Sequence, residues 1–185
     1  MKKLIFAKII LQMKPIFLIG FSGAGKTTVG KILSAQMGMQ FIDLDEFIEI
    51  NQHKTIAQIF SQPNGENLFR SLETKYLHEL SARENVVVAT GGGTACFKDN
   101  LELINNCGIS FYLKWKENDL LNRLKIDGLE KRPLLAGKTD LELANFIHNL
   151  FKKRKSFYKK AHFTVRGKDD SQLAQKILEI MPFTG

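Results

Sequence analysis

The stretch Ile16-Phe17-Leu18-Ile19-Gly20-Phe21-Ser22-Gly23-Ala24-Gly25-Lys26-Thr27-Thr28 decides how the rest of the chain is read. From Gly20 through Thr27 it fits the phosphate-binding loop pattern GxxxxGK[ST] in full. The apolar run Pro15–Ile19 ahead of the loop predicts a buried strand. Lys26–Met37 behind it predicts a helix that stops at Gly38. Glycines at 20, 23 and 25 permit backbone angles that let successive N–H groups turn inward around an anion. The helix then aims its positive end at the same point. In this pattern Gly23, Ala24, Gly25 and Thr28 border the phosphates and Lys26 reaches the outer ones. The Thr27 hydroxyl ligates Mg2+. A nucleoside triphosphate is the expected ligand.

Working outward, strand-like and helix-like segments alternate, which predicts a parallel sheet between helices. The further strand candidates are Gln40–Asp43, Asn85–Thr90, Ile109–Leu113 and His162–Val165. Residues 85–90 form a continuous, β-branched run, as in a central strand covered on both faces. Helical spacing recurs in Leu68, Phe69, Leu72, Tyr76 and Leu80, in Leu143, Ile147, Leu150 and Phe151, and in Leu173, Ile177 and Ile180. The stretch Ile126–Thr139, with Gly128, Pro133 and Gly137 among charges, predicts a mobile loop of functional length.

Composition limits the alternatives. At 185 residues and 44% hydrophobic content, one α/β domain with a sizeable core is expected. Cys96 and Cys107 fall in no metal or redox spacing, which suits a reducing, cytoplasmic compartment. The net charge of +8 raises the question of nucleic acid. Yet only Lys152-Lys153-Arg154-Lys155 and Lys159-Lys160 form a basic run, which reads as a solvated helix face. Neither nucleic acid nor a membrane is an expected partner. The apolar run in residues 1–12 is broken by Lys8 and too short to span a bilayer, so it reads as a non-essential extension. No long exposed apolar stripe is evident, and a monomer is expected.

Three constellations bear on the second substrate. Asp43-Leu44-Asp45 ends the second strand candidate, at the sheet edge where open parallel sheets bind ligands. If the chain is extended there, alternation sends both carboxylates the same way, one toward Mg2+ and one toward an attacking hydroxyl. Either could instead cap a helix. Gly91-Gly92-Gly93 follows the most hydrophobic strand and exceeds what a turn needs, so close approach by a polar substrate is expected. Arg70, Arg132 and Arg154 offer planar forks suited to carboxylate and phosphate, although Arg70 and Glu73 could be an ordinary helix pair.

The series in this order resembles the shikimate kinase family from Ile16 to about Met181. Its parts are the phosphate loop, Asp43-x-Asp45, and Gly65-Glu66-x-x-Phe69-Arg70-x-x-Glu73. Gly91-Gly92-Gly93, Arg132-Pro133-Leu134-Leu135 and Arg154-x-x-x-Tyr158-x-x-Ala161 complete it. The resemblance implies a three-layer α/β/α fold of the nucleoside monophosphate kinase type, built on a five-stranded parallel sheet. It also implies a small helical substrate-binding region at about 44–80 and a lid at about 126–139. It implies ATP-dependent phosphorylation of shikimate, with Asp45 on the ring hydroxyls as candidate base and Asp43 contacting Mg2+ through water. Arg70 and Arg154 would clamp the carboxylate with Glu73 orienting Arg70, and the glycines at 91–93 would line the substrate. Phe60 and Phe69 would pack on the ring, while Arg132 would reach the transferring phosphoryl group. On the adenine side, Arg123 or Lys125 would stack on the base and residues 166–170 would border it. A sugar-acid or nucleotide kinase of the same fold would not need the glycine run together with both arginines. A non-enzymatic nucleotide-binding module would leave Asp45, Arg70 and Arg132 without roles.

Overall fold

The computed structural model describes residues 13–127 and 137–181. The extension at 1–12 and Arg132 therefore lie outside the described residues.

Strand β1 (Ile16–Ile19) is wholly buried and sits at the centre of a sheet with β2 (Gln40–Asp43), β3 (Val86–Ala89), β4 (Ile109–Leu113) and β5 (Phe163–Val165). The order is β2-β3-β1-β4-β5 and every pair is parallel. Ile16–Ile19 and Val86–Val88 show no exposed surface because helices cover both faces, which explains their unbroken apolar sequence. In register, Leu18 lies opposite Ala89 on one side and Phe111 on the other. The strands therefore end together, and the loops leaving β1, β2 and β3 meet at one edge.

The helices are α1 (Lys26–Met37), α2 (Leu44–Gln52), α3 (Ile56–Phe60), α4 (Gly65–Ser81), α5 (Asn100–Cys107), α6 (Glu117–Asp127), α7 (Asp140–Tyr158) and α8 (Asp170–Ile180). The expected helix after the loop ends as predicted, with Gly38 as a left-handed cap. Helix α4 buries Phe69, Leu72, Tyr76, Leu77 and Leu80, and the same face carries Arg70 and Glu73 one turn apart. Leu68, counted in the predicted stripe, is instead exposed. Helix α6 continues through Ile126 and Asp127, the predicted start of the loop. Thr139 closes the other end as the N-cap of α7, in a capping box with Glu142.

Gly108 joins α5 to β4 where a side chain would collide with the neighbouring strand. A Cβ there would lie 2.4 Å from the Pro15 carbonyl oxygen and 2.6 Å from the Phe17 ring. Since that contact is with backbone, Gly108→Ala should force β1 and β4 apart. A loss of about 2 kcal/mol, or about 6 °C in Tm, is expected in thermal denaturation.

Candidate active site

The loop between β1 and α1 is shaped by three glycines with positive φ, Gly20 at 148°, Gly23 at 77° and Gly25 at 83°. Gly25 is the N-cap of α1 and makes no side-chain cap bond. The first N–H groups of the helix are thus turned to an anion rather than to a capping side chain. Lys26, almost fully buried, donates from Nζ to the carbonyls of Gly20 (3.0 Å) and Phe21 (2.9 Å). The Thr27 hydroxyl donates to Asp43 Oδ2 at 2.7 Å.

Of the two readings open for Asp43 and Asp45, the helix cap holds. The chain is not extended beyond Asp43: α2 begins at Leu44, and Asp43 Oδ1 accepts the Asp45 N–H at 3.0 Å as the helix N-cap. Strand alternation therefore does not carry Asp45. The helix turn still brings Asp45 to the pocket, and the capping and pocket roles of Asp43 coexist on its two oxygens. Asp45 Oδ1 is enclosed and has no hydrogen-bond partner. Burial, then the charges of Asp43 and Glu73, push the Asp45 carboxyl from 3.8 up to about 7, against the pull of Lys26 and Arg70.

Arg70 and Arg154 both meet the glycine run, and Arg154 also lies 6.0 Å over the ring of Phe21 in the loop. Arg70 on α4 bonds Glu73 Oε2 at 2.6 Å, with Glu66 more loosely at 3.6 Å. Burial works against the Arg70 charge, but Glu73 and then Glu66 outweigh it and hold the pKa above its ordinary value. Arg154 on α7 donates to the Gly92 carbonyl at 3.2 Å, and the Tyr158 hydroxyl donates to the same oxygen at 2.5 Å. The other basic residues of that run, Lys152, Lys153, Lys155, Lys159 and Lys160, are exposed, as a solvated face requires.

The glycine run fits between these groups. A Cβ on Gly93 would come 2.6 Å from Arg70 Nη1, and one on Gly92 would come 2.7 Å from Ser22 Oγ. One on Gly91 would meet Glu73 Oε1 at 2.7 Å and Asp45 Oδ1 at 3.0 Å. The run is bare because these side chains lie directly on it. Phe60 and Phe69 pair at 5.1 Å between centroids beside Arg70.

Beside the loop lie Arg123 and Asp170, both named on the adenine side, and Trp115, which the sequence reading missed. Arg123 donates to the Gly23 carbonyl at 2.7 Å, binds both Asp170 oxygens at 2.7 and 2.9 Å, and lies 4.5 Å over the Trp115 ring. Trp115 in turn donates to the Ala24 carbonyl at 3.1 Å. A lone tryptophan just past the end of a central strand was the available signal. Lys125, the alternative on the adenine side, pairs instead with exposed Asp140 at 2.8 Å. Cys96, beside Tyr158, is pushed up to about 11 by burial and stays a thiol.

A cavity of about 280 Å³ runs from the phosphate loop past Asp43 and Asp45 to Gly91 and Gly92, with Arg123 and Asp170 also on its wall. A hydroxyl and a carboxylate on its wall are the hard oxygen donors a small divalent cation takes. Among the described residues no set of three or more His, Cys, Asp or Glu forms a metal site by itself. A cation held by Thr27 and Asp43 would draw its remaining ligands from phosphate and water.

A parallel sheet with a phosphate loop and an acceptor pocket at one edge defines a phosphate-loop kinase of small molecules. Similarity narrows this further. The shikimate kinase family model matches residues 22–182. The shikimate kinase of Phocaeicola vulgatus is 51% identical over 149 residues, covering 80% of this chain and 84% of that protein. Among solved structures, shikimate kinase from Bacteroides thetaiotaomicron aligns with a TM-score of 0.83 at 41% identity, over 91% of this chain and 98% of that one. Shikimate kinase from Acinetobacter baumannii in complex with shikimate aligns equally well, TM-score 0.83, at 37% identity over 91% and 92%. The chain belongs to the shikimate kinase family.

Proposed function

We propose a division of labour among these residues for the activity that family membership carries. That activity is transfer of the γ-phosphoryl group of ATP to the 3-hydroxyl of shikimate, giving shikimate 3-phosphate and ADP on the route to chorismate and the aromatic amino acids. One observation supports the reading most strongly. Arg70, locked by buried Glu73, lies against Gly93, and Arg154 donates to the Gly92 carbonyl, so both guanidinium groups meet the bare glycine run that borders the pocket. A small acid held there by its carboxylate presents its hydroxyls to Asp45 and the γ-phosphate.

In this arrangement Arg70 and Arg154 bind the carboxylate, Phe60 and Phe69 border the ring, and Gly91, Gly92 and Gly93 let it approach the backbone. Gly23, Ala24, Gly25, Thr27 and Thr28 cradle the triphosphate. Thr27 and Asp43 would hold Mg2+, which would supply positive charge to the phosphates. The 3-hydroxyl oxygen forms the new bond to γ-phosphorus as the bond to the β-phosphate oxygen breaks. The hydroxyl proton passes to Asp45, whose carboxyl near 7 is matched to that exchange. Phosphoryl transfer is loose, so positioning and charge neutralisation carry most of the effect. Lys26 provides the charge from the loop, and Arg132 provides it from the segment at about 126–139, which closes as a lid and excludes water.

The enzyme works in the cytoplasm as a monomer, without nucleic acid or membrane. In support, no described helix is long and apolar enough to cross a membrane.

A coupled ADP-release assay offering shikimate, gluconate and nucleoside monophosphates separately tests the acceptor. Turnover with shikimate alone is expected, and turnover with another acceptor alone would reject it. Arg132→Ala should lower kcat by about 10³ while changing shikimate KM little, as measured by steady-state kinetics.

A further inference from the structure

Thr94 has no part in the site as described so far, yet it is wholly buried within it. It opens the short 3₁₀ turn Thr94–Cys96 that follows the glycine run. Its hydroxyl donates to Glu73 Oε1, while Glu73 Oε2 takes Arg70 Nη1 at 2.6 Å. Thr94 is itself pinned from both sides. Its N–H donates to the Gly91 carbonyl at 3.2 Å, and its carbonyl accepts from Asn100 Nδ2, also buried, at 3.0 Å.

We infer that Thr94 is a positioning residue for the acceptor clamp, fixing the Glu73 carboxylate so that Arg70 is aimed at the carboxylate of the bound acid. The inference rests on the reading of Arg70 as that clamp. The geometry around Gly91 explains why a hydroxyl is needed. A point one bond above the Gly91 Cα lies 2.7 Å from Glu73 Oε1, 2.9 Å from Thr94 Oγ1 and 3.0 Å from Asp45 Oδ1. Two carboxylate oxygens thus crowd one spot, and the Thr94 proton satisfies the Glu73 oxygen there. Without that proton, Oε1 is left buried beside a like group, and rotation of Glu73 away from Asp45 carries Arg70 with it. The branched Cβ of threonine adds restriction of χ1, which holds the donor in line.

A simple structural tie between α4 and the turn would also be buried and bonded, so the test reads selectivity as well as stability. Thr94→Val, Thr94→Ala, Thr94→Ser and Arg70→Ala are assayed with shikimate and with its methyl ester, which lacks the negative charge. Removing the hydroxyl is expected to raise shikimate KM about tenfold, with ATP KM moving far less. The preference for the acid over the ester should fall by a similar factor in both hydroxyl-free variants, and Thr94→Ser should restore it. If Thr94→Val and Thr94→Ala lower Tm but keep the preference for the acid while Arg70→Ala loses it, the inference fails and the clamp stands. If Arg70→Ala also keeps that preference, the clamp reading fails and the inference falls with it.

Discussion

Asp45→Asn is expected to lower kcat by about 10²–10⁴ while making the folded protein more stable at pH 8. The kinetic half follows from the proposed role of Asp45 as acceptor of the hydroxyl proton. The stability half follows from the raised carboxyl. With a folded value of about 7 against 3.8 in the unfolded chain, Asp45 holds its proton more tightly when folded. Its contribution to stability is therefore complete below pH 3.8 and is lost as the pH rises to about 7. Above that, an ionised carboxylate sits beside Asp43 and Glu73 with one oxygen enclosed and unpaired. Asparagine removes the charge. Because one side of Asp45 opens to the pocket, the gain is about 1–2 kcal/mol, or a few degrees in Tm, at pH 8 and shrinks toward pH 4. Calorimetry of metal-free protein at both pH values checks this. Unchanged turnover would remove Asp45 from the proton path, and an unchanged Tm difference between the two pH values would contradict the buried-charge account.

Arg70→Ala is expected to act on binding and on folding at once. Losing one partner of a desolvated charge pair with the acceptor's carboxylate removes about 2–5 kcal/mol, so shikimate KM should rise by at least about 30-fold. ATP KM should stay close to wild type because Arg70 pairs with Glu73 and Glu66 and lies against Gly93, not on the phosphate loop. The same substitution strands Glu73, which has no exposed surface, without its cation. Breaking a buried pair from one side costs about 3–5 kcal/mol, a Tm loss of about 10 °C. Arg70→Lys separates the two effects. It keeps a charge for Glu73 but not the planar fork, so Tm should recover more than KM does. A KM unchanged in both variants would move the carboxylate site elsewhere.

Much of this molecule was legible before any coordinates, for reasons that differ between its parts. The strands β1, β3 and β4 announce themselves because burial on both faces forces unbroken apolar sequence, and Gly25, Lys26 and Gly38 bracket α1 by their backbone needs. The route of Asp45 into the pocket stays open in the sequence because strand and N-cap place a carboxylate at the same position with equal ease. Asp43 is extended in either case, and the turn into helix comes only at Leu44. Arg123, Trp115 and Asp170 were invisible as a group since they come from three separate loops and helices joined only by the fold. Thr94 escaped notice because a buried threonine carries no signal of its own, and its importance lies in the oxygen it faces.

The run Gly91-Gly92-Gly93 has a pharmacological consequence. Each of its three α-carbons is covered by a different part of the pocket wall, so even a methyl added at any one displaces Asp45 and Glu73, Ser22 of the phosphate loop, or Arg70. An inhibitor that draws its affinity from the backbone of this segment, rather than from the surrounding side chains, would leave the organism few mutations with which to evade it.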